Sequence, residues 1–446
     1  MNALRLAVLP LLLVSSIAVA QQDSGMQKIP GTEQMPGMQM SSGGSTNGQP
    51  GSFIQEILNH DTSGTSAEPS STPIPMLMRK TGAWSLMFHA NMFVVDQQQS
   101  SPRGGDRFFS TSWFMPMAQR RLSRGVFTAR VMLSAEPATI TDRRYPLLFQ
   151  QGETAYGVPI ADGQHPHNLF MEVAAIYDVK LGTSSLVSFY LAPVGDPAIG
   201  PTAYPHRASS FEDPVATLGH HQEDSTHISD DVVTVGLTHR IVRIEASGFH
   251  GREPDENRWI VSQGAIDSWS TRLTIQAGKN WSGQYSYARI ASAEALFPFE
   301  NQERMTASVM YNRPLHLGNW ASTLLWGRTR SLEDNAIFNS YLFESSVQFR
   351  RSNYIWTRIE SAERSNELIL GDNPLPPGFL EEPIGHVEAY TLGYDHDIRL
   401  APHLASAIGM QATTYGVPSI LQPIYRAHPA GVTVFIRLRP FSGQEK

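Results

Sequence analysis

The feature that most constrains the fold of this chain is a period-two alternation of apolar and polar residues in segments of about ten residues. In residues 84–94 the even positions are apolar, whereas the odd positions include Ser85, Met87, His89 and Asn91. This alternation is typical of a β-strand with one apolar and one polar face. It recurs in sixteen predicted strands: 84–95, 108–118, 125–135, 169–179, 184–192, 232–240, 242–250, 268–277, 281–290, 303–313, 319–329, 339–350, 353–362, 386–398, 403–414 and 431–439.

The spacing of these strands distinguishes a membrane barrel from a soluble sandwich or propeller. Short gaps such as 180–183 and 278–280 alternate without exception with long gaps, of which 136–168 and 193–231 are the longest. Outer-membrane barrels have this pattern because their periplasmic turns are short and their extracellular loops are long. Closure also pairs the backbone N–H and C=O groups of the sheet edges, which would otherwise face lipid without a hydrogen-bond partner. We therefore predict an all-β, closed, up-and-down antiparallel transmembrane β-barrel of about 16 strands over residues 81–446, with both ends in the periplasm.

The N-terminal part of the chain has a different composition. A short apolar core followed by the small-x-small motif at 18–20 predicts a cleaved signal peptide over residues 1–20, so we expect export to the bacterial outer membrane. Residues 21–80 are rich in Gly, Ser, Pro, Gln and Met, which predicts a disordered periplasmic tail. Within this tail, residues 53–60 have the pattern of a short helix that would be marginal in isolation.

Charge and composition narrow the function further. The formal net charge of −7 argues against nucleic acid as a partner, and the absence of cysteine excludes disulfides and thiolate metal ligands. Charged residues at mid-strand suit a wet lumen, and those predicted to face it are Arg130, Arg272, Arg289, Arg328, Arg358, Arg437, Arg439, Glu172, Glu245, Glu360, Glu388 and Asp395. Five tryptophans near strand ends are either interfacial girdle residues or ordinary strand aromatics: Trp84, Trp113, Trp269, Trp281 and Trp320.

Histidine is concentrated in the two longest predicted loops. These loops carry His165, His167, His206, His220, His221 and His227, with Asp224 among the neighbouring carboxylates. Imidazole and carboxylate suit Zn²⁺ and Cu²⁺, and the two histidines of a His-x-His motif point the same way in an extended segment. The hypothesis is a copper or zinc site. The alternative is that these side chains form hydrogen bonds within folded loops.

Methionine forms a second candidate ligand set. Met35, Met38 and Met40 lie close together in the predicted tail, and Met76 and Met78 follow. Thioethers are soft ligands suited to Cu⁺, and the first three could wrap one ion on a flexible chain. The other interpretation is the biased composition of a linker.

Four loop sequences carry a resemblance to a known family: DGQHPHNLFME (162–172), PHR (205–207), LGHHQEDSTHI (218–228) and FHGREPDENRW (249–259). They resemble a family of uncharacterised Gram-negative outer-membrane β-barrel proteins, which are often associated with copper or other heavy-metal resistance genes. More distantly, the chain is similar to the copper-resistance protein B barrels. Those proteins carry dense Met-Asp-His-Gly repeats ahead of the barrel, whereas the methionines here are sparse. The resemblance implies an outer-membrane barrel linked to metal tolerance.

We interpret the chain as an outer-membrane channel or porin-like protein for metal-ion traffic or tolerance, with copper or zinc as the ion. The loop 193–231 is long enough to fold into the lumen and narrow it. One alternative is a surface protein that sequesters metal without transport. A minor one is a lipid-face hydrolase using Ser225, although no nucleophile-elbow motif surrounds it and no enzymatic activity is expected. Expected partners are outer-membrane lipid, small solutes or metal ions, and two further copies in a homotrimer by analogy with sixteen-stranded porins.

Overall fold

The computed structural model describes residues 52–142, 144–401 and 404–440, without the side chain of Arg399. Sixteen of their strands form one antiparallel barrel: β1 Trp84–Gln99, β2 Arg107–Arg121, β3 Val126–Leu133, β4 Phe170–Lys180, β5 Ser185–Gly195, β6 Ser229–His239, β7 Val242–His250, β8 Ser268–Ala277, β9 Trp281–Ile290, β10 Gln302–Leu315, β11 Gly318–Ser331, β12 Ile337–Phe349, β13 Asn353–Ser365, β14 Pro383–Ala401, β15 Leu404–Gly416 and β16 Ala430–Pro440. Each strand pairs with the next, and β16 pairs with β1. The predicted closed barrel of about 16 strands is confirmed.

The connections between strands differ at the two ends of the barrel. At one end they are tight turns, at 122–125, 181–184, 240–241, 278–280, 316–317 and 350–352. At the other end they are long, and the two longest span 134–169 and 196–228. We assign the short turns to the periplasmic side and the long loops to the extracellular side. None of the helices in the described ranges is long and apolar enough to cross a membrane.

The two faces of the strands separate an apolar outer belt from a polar lumen. In β16, Val432, Val434 and Ile436 are exposed on the outside, whereas Phe435 and Arg437 are buried inside. Most predicted lumen charges do face inward, including Arg130, Arg272, Arg358, Glu172 and Glu245. This inside-polar, outside-apolar arrangement is that of a bacterial outer-membrane β-barrel.

Three side chains lie on the face opposite to the one predicted, and one of the two interpretations of Trp113 is excluded. Arg289, Arg328 and Glu388 occupy outward positions of β9, β11 and β14. Trp113 is not a girdle residue, because its side chain points inward and is only 4% exposed. In each case the strand exists as predicted, but the face on which the residue lies is wrong. A shift of one residue along a strand is enough to move a side chain to the other face.

Both long loops fold into the lumen, which confirms the prediction for the loop at 193–231. The loop 196–228 is held by buried ion pairs between its side chains and the barrel wall. Arg207 lies 2.8 Å from Glu344 on β12, and Asp213 lies 3.0 Å from Arg358 on β13. Short elements within the loops include the helices Glu136–Thr139 and His220–Glu223, and the ribbons 145–146 with 163–164 and 153–155 with 158–160. Two further short helices are Glu367–Leu370 and Gln422–Tyr425.

The predicted disorder of residues 21–80 is wrong for residues 52–80. Helix α1, Phe53–Asn59, begins at Ser52, and its apolar side chains pack against Leu186. The chain then crosses the lumen, where the guanidinium of Arg130 donates hydrogen bonds to the carbonyls of residues 60, 62 and 64. A polar segment needs no core of its own when a barrel wall supplies its hydrogen bonds. Residues 1–51, including the predicted signal peptide, lie outside the described residues.

The seam of the barrel is shared by two segments. The short strand Leu77–Thr81 pairs with the periplasmic half of β1, from Trp84 to Phe88. The last strand, β16, pairs with the extracellular half of β1, from Met92 to Gln99. The lumen segment 52–76 is therefore connected directly to the seam.

Candidate functional site

Five of the six predicted loop histidines meet at the extracellular side of the lumen. They are His165 and His167 from the first long loop and His220, His221 and His227 from the second, and they line a cavity of about 80 Å³. We call these five side chains the outer histidine cluster. The centroid of the His227 ring lies 5.3 Å from the centroid of the His167 ring and 5.3 Å from that of the His220 ring.

Asp224 fixes the second loop beneath this cluster. The helix His220–Glu223 places His220 and Asp224 one turn apart, so His220 Nδ1 lies 2.7 Å from Asp224 Oδ1. The other carboxylate oxygen accepts from the Arg207 guanidinium at 3.1 Å and from the Tyr204 backbone N–H at 2.9 Å. Burial raises the pKa of Asp224, but the hydrogen bond with His220 and the nearby positive charge outweigh it and hold the pKa below its usual range. Asp224 is therefore an ionised anchor of the loop.

The two histidines of the His165-Pro166-His167 motif contact different carboxylates. His165 Nε2 lies 2.6 Å from Glu153, whereas His167 Nδ1 lies 3.0 Å from Glu136. The Nε2 atom of His167 faces the Tyr204 hydroxyl at 3.3 Å. The motif therefore does not form the bidentate ligand pair that is expected of His-x-His in an extended segment.

Two imidazole nitrogens of the outer histidine cluster are buried without a hydrogen-bond partner, Nε2 of His221 and Nε2 of His227. Burial, with the neighbouring charges of His167 and His220, lowers the pKa of His227 to about 3. Burial also holds the pKa of His221 well below its usual value. Both rings are neutral at pH 7. Nδ1 of His227 donates to the Asp224 carbonyl, which leaves the lone pair of this ring on Nε2, whereas Nε2 of His221 lies 3.6 Å from Glu153.

Carboxyl groups surround the same cavity. Glu153 and Glu253 both line it, and burial raises the pKa of each above its usual value. Within residues 52–142, 144–401 and 404–440, no three or more histidine and carboxylate side chains are arranged to hold a metal ion. Coordination at the outer histidine cluster would therefore require its side chains to turn toward one another.

The remaining predicted ligands lie elsewhere. His206 is set apart from the outer histidine cluster and packs against Trp113 and Met132 on the barrel wall. Burial, together with the charge of His89, holds the pKa of His206 well below its usual value. Met35, Met38 and Met40 lie outside the described residues, so that ligand set stays a prediction.

Sequence reasoning missed several residues that shape these sites. Glu136, Glu153 and Tyr204 contact the histidines, but they are separated from them in sequence and carry no local motif. For His89, the alternation predicts only that the side chain lies on the polar face of its strand. Ser225 is not paired with His227, because its hydroxyl accepts from Arg304 at 2.8 Å and His227 Nδ1 faces the Asp224 carbonyl.

No protein-family model matches the chain, and no curated protein matches its sequence. Among solved structures, it is similar to the anion-selective porin from Comamonas acidovorans, with 12% identity over 80% of this chain and 99% of that chain and a TM-score of 0.46. It is similar to OmpF of Salmonella typhi in complex with daunomycin, with 8% identity over 81% and 99% and a TM-score of 0.49. OprB of Pseudomonas putida gives 8% identity over 80% and 94%, with a TM-score of 0.47. The barrel class assigned above follows from the strand pairing.

Proposed function

We propose that this protein is an outer-membrane channel for small metal cations such as copper or zinc, and that its lumen is closed at rest. The observation that carries the proposal is the position of the outer histidine cluster, which lines a cavity at the extracellular mouth of a closed polar barrel. Neutral imidazoles with free nitrogens, beside carboxyl groups, are the ligand types that Zn²⁺ and Cu²⁺ prefer.

The resting closure follows from the packing at mid-height. The inward arginines Arg130, Arg272 and Arg437 are at most 2% exposed, because loop 196–228 and segment 52–76 cover them. A separate cavity of about 440 Å³ lies on the periplasmic side. A passing cation would have to move from the outer cavity to this one, which requires the loop or the segment to shift.

Metal binding at the outer histidine cluster is tested by isothermal titration of the detergent-solubilised protein with Zn²⁺ and Cu²⁺. The double variant His220→Ala/His221→Ala is expected to weaken Zn²⁺ binding by at least about tenfold, because it removes two imidazoles from one cavity. His428→Ala, at an exposed loop position, is the matched control and should bind like the wild type. Equal affinities of the double variant and the control would remove the site.

Conduction is tested in planar bilayers. A variant lacking residues 52–76, which keeps the strand Leu77–Thr81, should conduct at least as often as the wild type and in larger steps, because one of the segments that fill the lumen is gone. Zn²⁺ added on the extracellular side should reduce this current, and the His220→Ala/His221→Ala background should relieve the block.

The packed lumen also favours a second function, which is metal sequestration without transport. In that case neither the wild type nor the variant lacking residues 52–76 would conduct, while Zn²⁺ binding would persist. Assembly into a homotrimer stays a prediction, and cross-linking in native membranes would test it.

A further inference from the structure

A second group of histidines lies against the barrel wall, away from the outer histidine cluster. It consists of His89 on β1, Trp113 and Met115 on β2, Met132 on β3, and His206 from loop 196–228. We call these five side chains the inner thioether cluster. The His206 Nε2 atom lies 2.9 Å from the Met132 sulfur, and the His206 and Trp113 rings are 4.1 Å apart between centroids.

Strand register brings the wall members of this cluster together. His89 is directly opposite Met115 in the pairing of β1 with β2, and Trp113 is the next inward residue of β2. The His89 and Trp113 rings are 4.6 Å apart, and the two imidazoles are 6.0 Å apart. Met132 points inward from the neighbouring strand β3, so the wall presents thioether, imidazole and indole groups to one point beneath the loop.

The imidazoles of this cluster are unusually short of partners. Both ring nitrogens of His89 and the Nδ1 atom of His206 are buried without a hydrogen bond. His89 is 2% exposed and His206 is 5% exposed, so bulk solvent does not reach these side chains. Because buried polar atoms are nearly always hydrogen-bonded, three unpartnered nitrogens at one place favour the binding of a ligand there.

The surroundings select the kind of ligand. The adjoining core is built largely from methionines, namely Met76, Met87, Met115, Met117, Met132 and Met171. The acidic side chains that line the periplasmic cavity, Glu212 and Asp397, are both paired with Arg437, and Glu212 is paired with Arg439 as well. The donors left free are therefore neutral nitrogen and sulfur atoms, which suit a soft ion better than a hard divalent cation.

The cluster can be reached from the periplasmic side. His89 and His206 line the cavity of about 440 Å³, together with Met76 and Phe211. An ion in this cavity would meet the two imidazoles and the Met76 thioether at its wall, and Met132 and Trp113 contact His206 on the inner side. Indole faces attract cations, and this attraction strengthens where water is excluded.

We propose that the inner thioether cluster binds one soft monovalent cation, Cu⁺ or Ag⁺, through the imidazoles of His89 and His206 and the sulfur of Met132, with Trp113 packed against the ion. Met115 lies directly behind and completes the sulfur-rich wall. This site depends neither on conduction nor on the outer histidine cluster, so it can be tested in the closed barrel.

The test uses the full mature chain in detergent micelles. Ag⁺ is titrated by calorimetry, and Cu⁺ is titrated under ascorbate in competition with bathocuproine disulfonate. Wild-type protein is expected to bind one equivalent of each at this cluster, and a Met35→Leu/Met38→Leu/Met40→Leu background removes any ion held by the tail methionines. The variant Met132→Leu/His206→Gln should lose affinity by at least about tenfold, since two ligands are removed at nearly constant volume. The matched control Met87→Leu/Met117→Leu, one row further along the same wall, should change affinity less than about twofold.

Tryptophan fluorescence provides a readout that does not depend on the double variant folding. Ag⁺ should quench part of the wild-type emission, and Trp113→Phe should abolish this quenched part. His89→Gln should shift the titration to higher Ag⁺ concentration. The proposal is overturned if wild-type protein binds no Ag⁺, if the quenching survives in Trp113→Phe, or if the control loses as much affinity as Met132→Leu/His206→Gln. Loss of conductance with retained Ag⁺ binding would reject the channel and leave this site intact.

Discussion

Two of the polar segments that fill the lumen are held in different ways. Loop 196–228 is fixed by charged side chains, among which Arg207 pairs with Glu344 and Asp224. Segment 52–76 is fixed mostly through its own backbone, since its carbonyls accept hydrogen bonds from Arg130 and other side chains of the barrel wall. Charged anchors can be recognised in a sequence, whereas a backbone carbonyl is the same in every residue. The infolding of the loop was predicted from its length alone, and these anchors are what hold it there. The low apolar content of segment 52–76 gave no sign that it enters the lumen.

The largest expected effect comes from removing a charged anchor of the loop. Arg207→Ala should lower the free energy of unfolding by about 3–5 kcal/mol, because Asp224 and Glu344 are left buried without this partner. Urea unfolding of the protein refolded in micelles measures this change. Arg144→Ala is the control, since it breaks a partly exposed pair with Asp372 and should lower the same free energy by less than about 1 kcal/mol. Equal losses in the two variants would show that the loop does not depend on its buried charges.

Removing the backbone anchor should have a smaller and more local effect. The double variant Arg130→Met/Glu172→Gln is expected to lower the free energy of unfolding by about 1–3 kcal/mol, because three carbonyls lose their donor. The Glu172→Gln change is included because Arg130 and Glu172 form a fully buried ion pair, and Arg130→Met alone would leave a buried charge. Hydrogen exchange should rise in residues 60–64 and stay unchanged in loop 196–228.

Arg243→Met provides the comparison for this variant, because Arg243 also faces the lumen, pairs with Glu245 and donates hydrogen bonds to Ser188 and Thr238, none of which belongs to segment 52–76. It should leave the exchange of residues 60–64 as it is in the wild type. If both variants release that stretch to the same degree, the segment is held by the barrel as a whole and not by Arg130.

The smallest expected effect is a dependence on pH. Burial raises the pKa of Glu68 to about 7, and burial likewise raises the pKa of Asp61 to about 7. An acid whose pKa is raised by folding adds stability below its unfolded pKa and loses it as the pH rises through the folded value. The exchange protection of residues 61–68 should therefore fall by about tenfold from pH 6 to pH 8, after correction for the intrinsic rate. Asp61→Asn/Glu68→Gln should show no such fall, and an identical fall in this variant would assign the effect to other groups.

The barrel itself could be predicted because two independent patterns agree. The alternation gives each strand, and the alternation of short and long gaps gives the closed up-and-down topology. The disorder predicted for residues 21–80 followed from low apolar content, and it was wrong for residues 52–80 because the lumen supplies partners that composition does not reveal. The outer histidine cluster could be predicted as a group because its members share two loops. The inner thioether cluster could not, since His89, Trp113 and Met132 come from three strands and only the register joins them.

The divided seam has a consequence for how the barrel is completed. The strand Leu77–Thr81 and the start of β1 are neighbours in sequence, so they can form a hairpin within microseconds of meeting. Joining β1 to β16 instead requires the two ends of the whole barrel to find each other, which is far slower. Only the stretch from Met92 to Gln99 is then left for the final closure. Under heat or mechanical tension, the pairing of this short stretch with β16 should therefore be the first part of the barrel wall to separate.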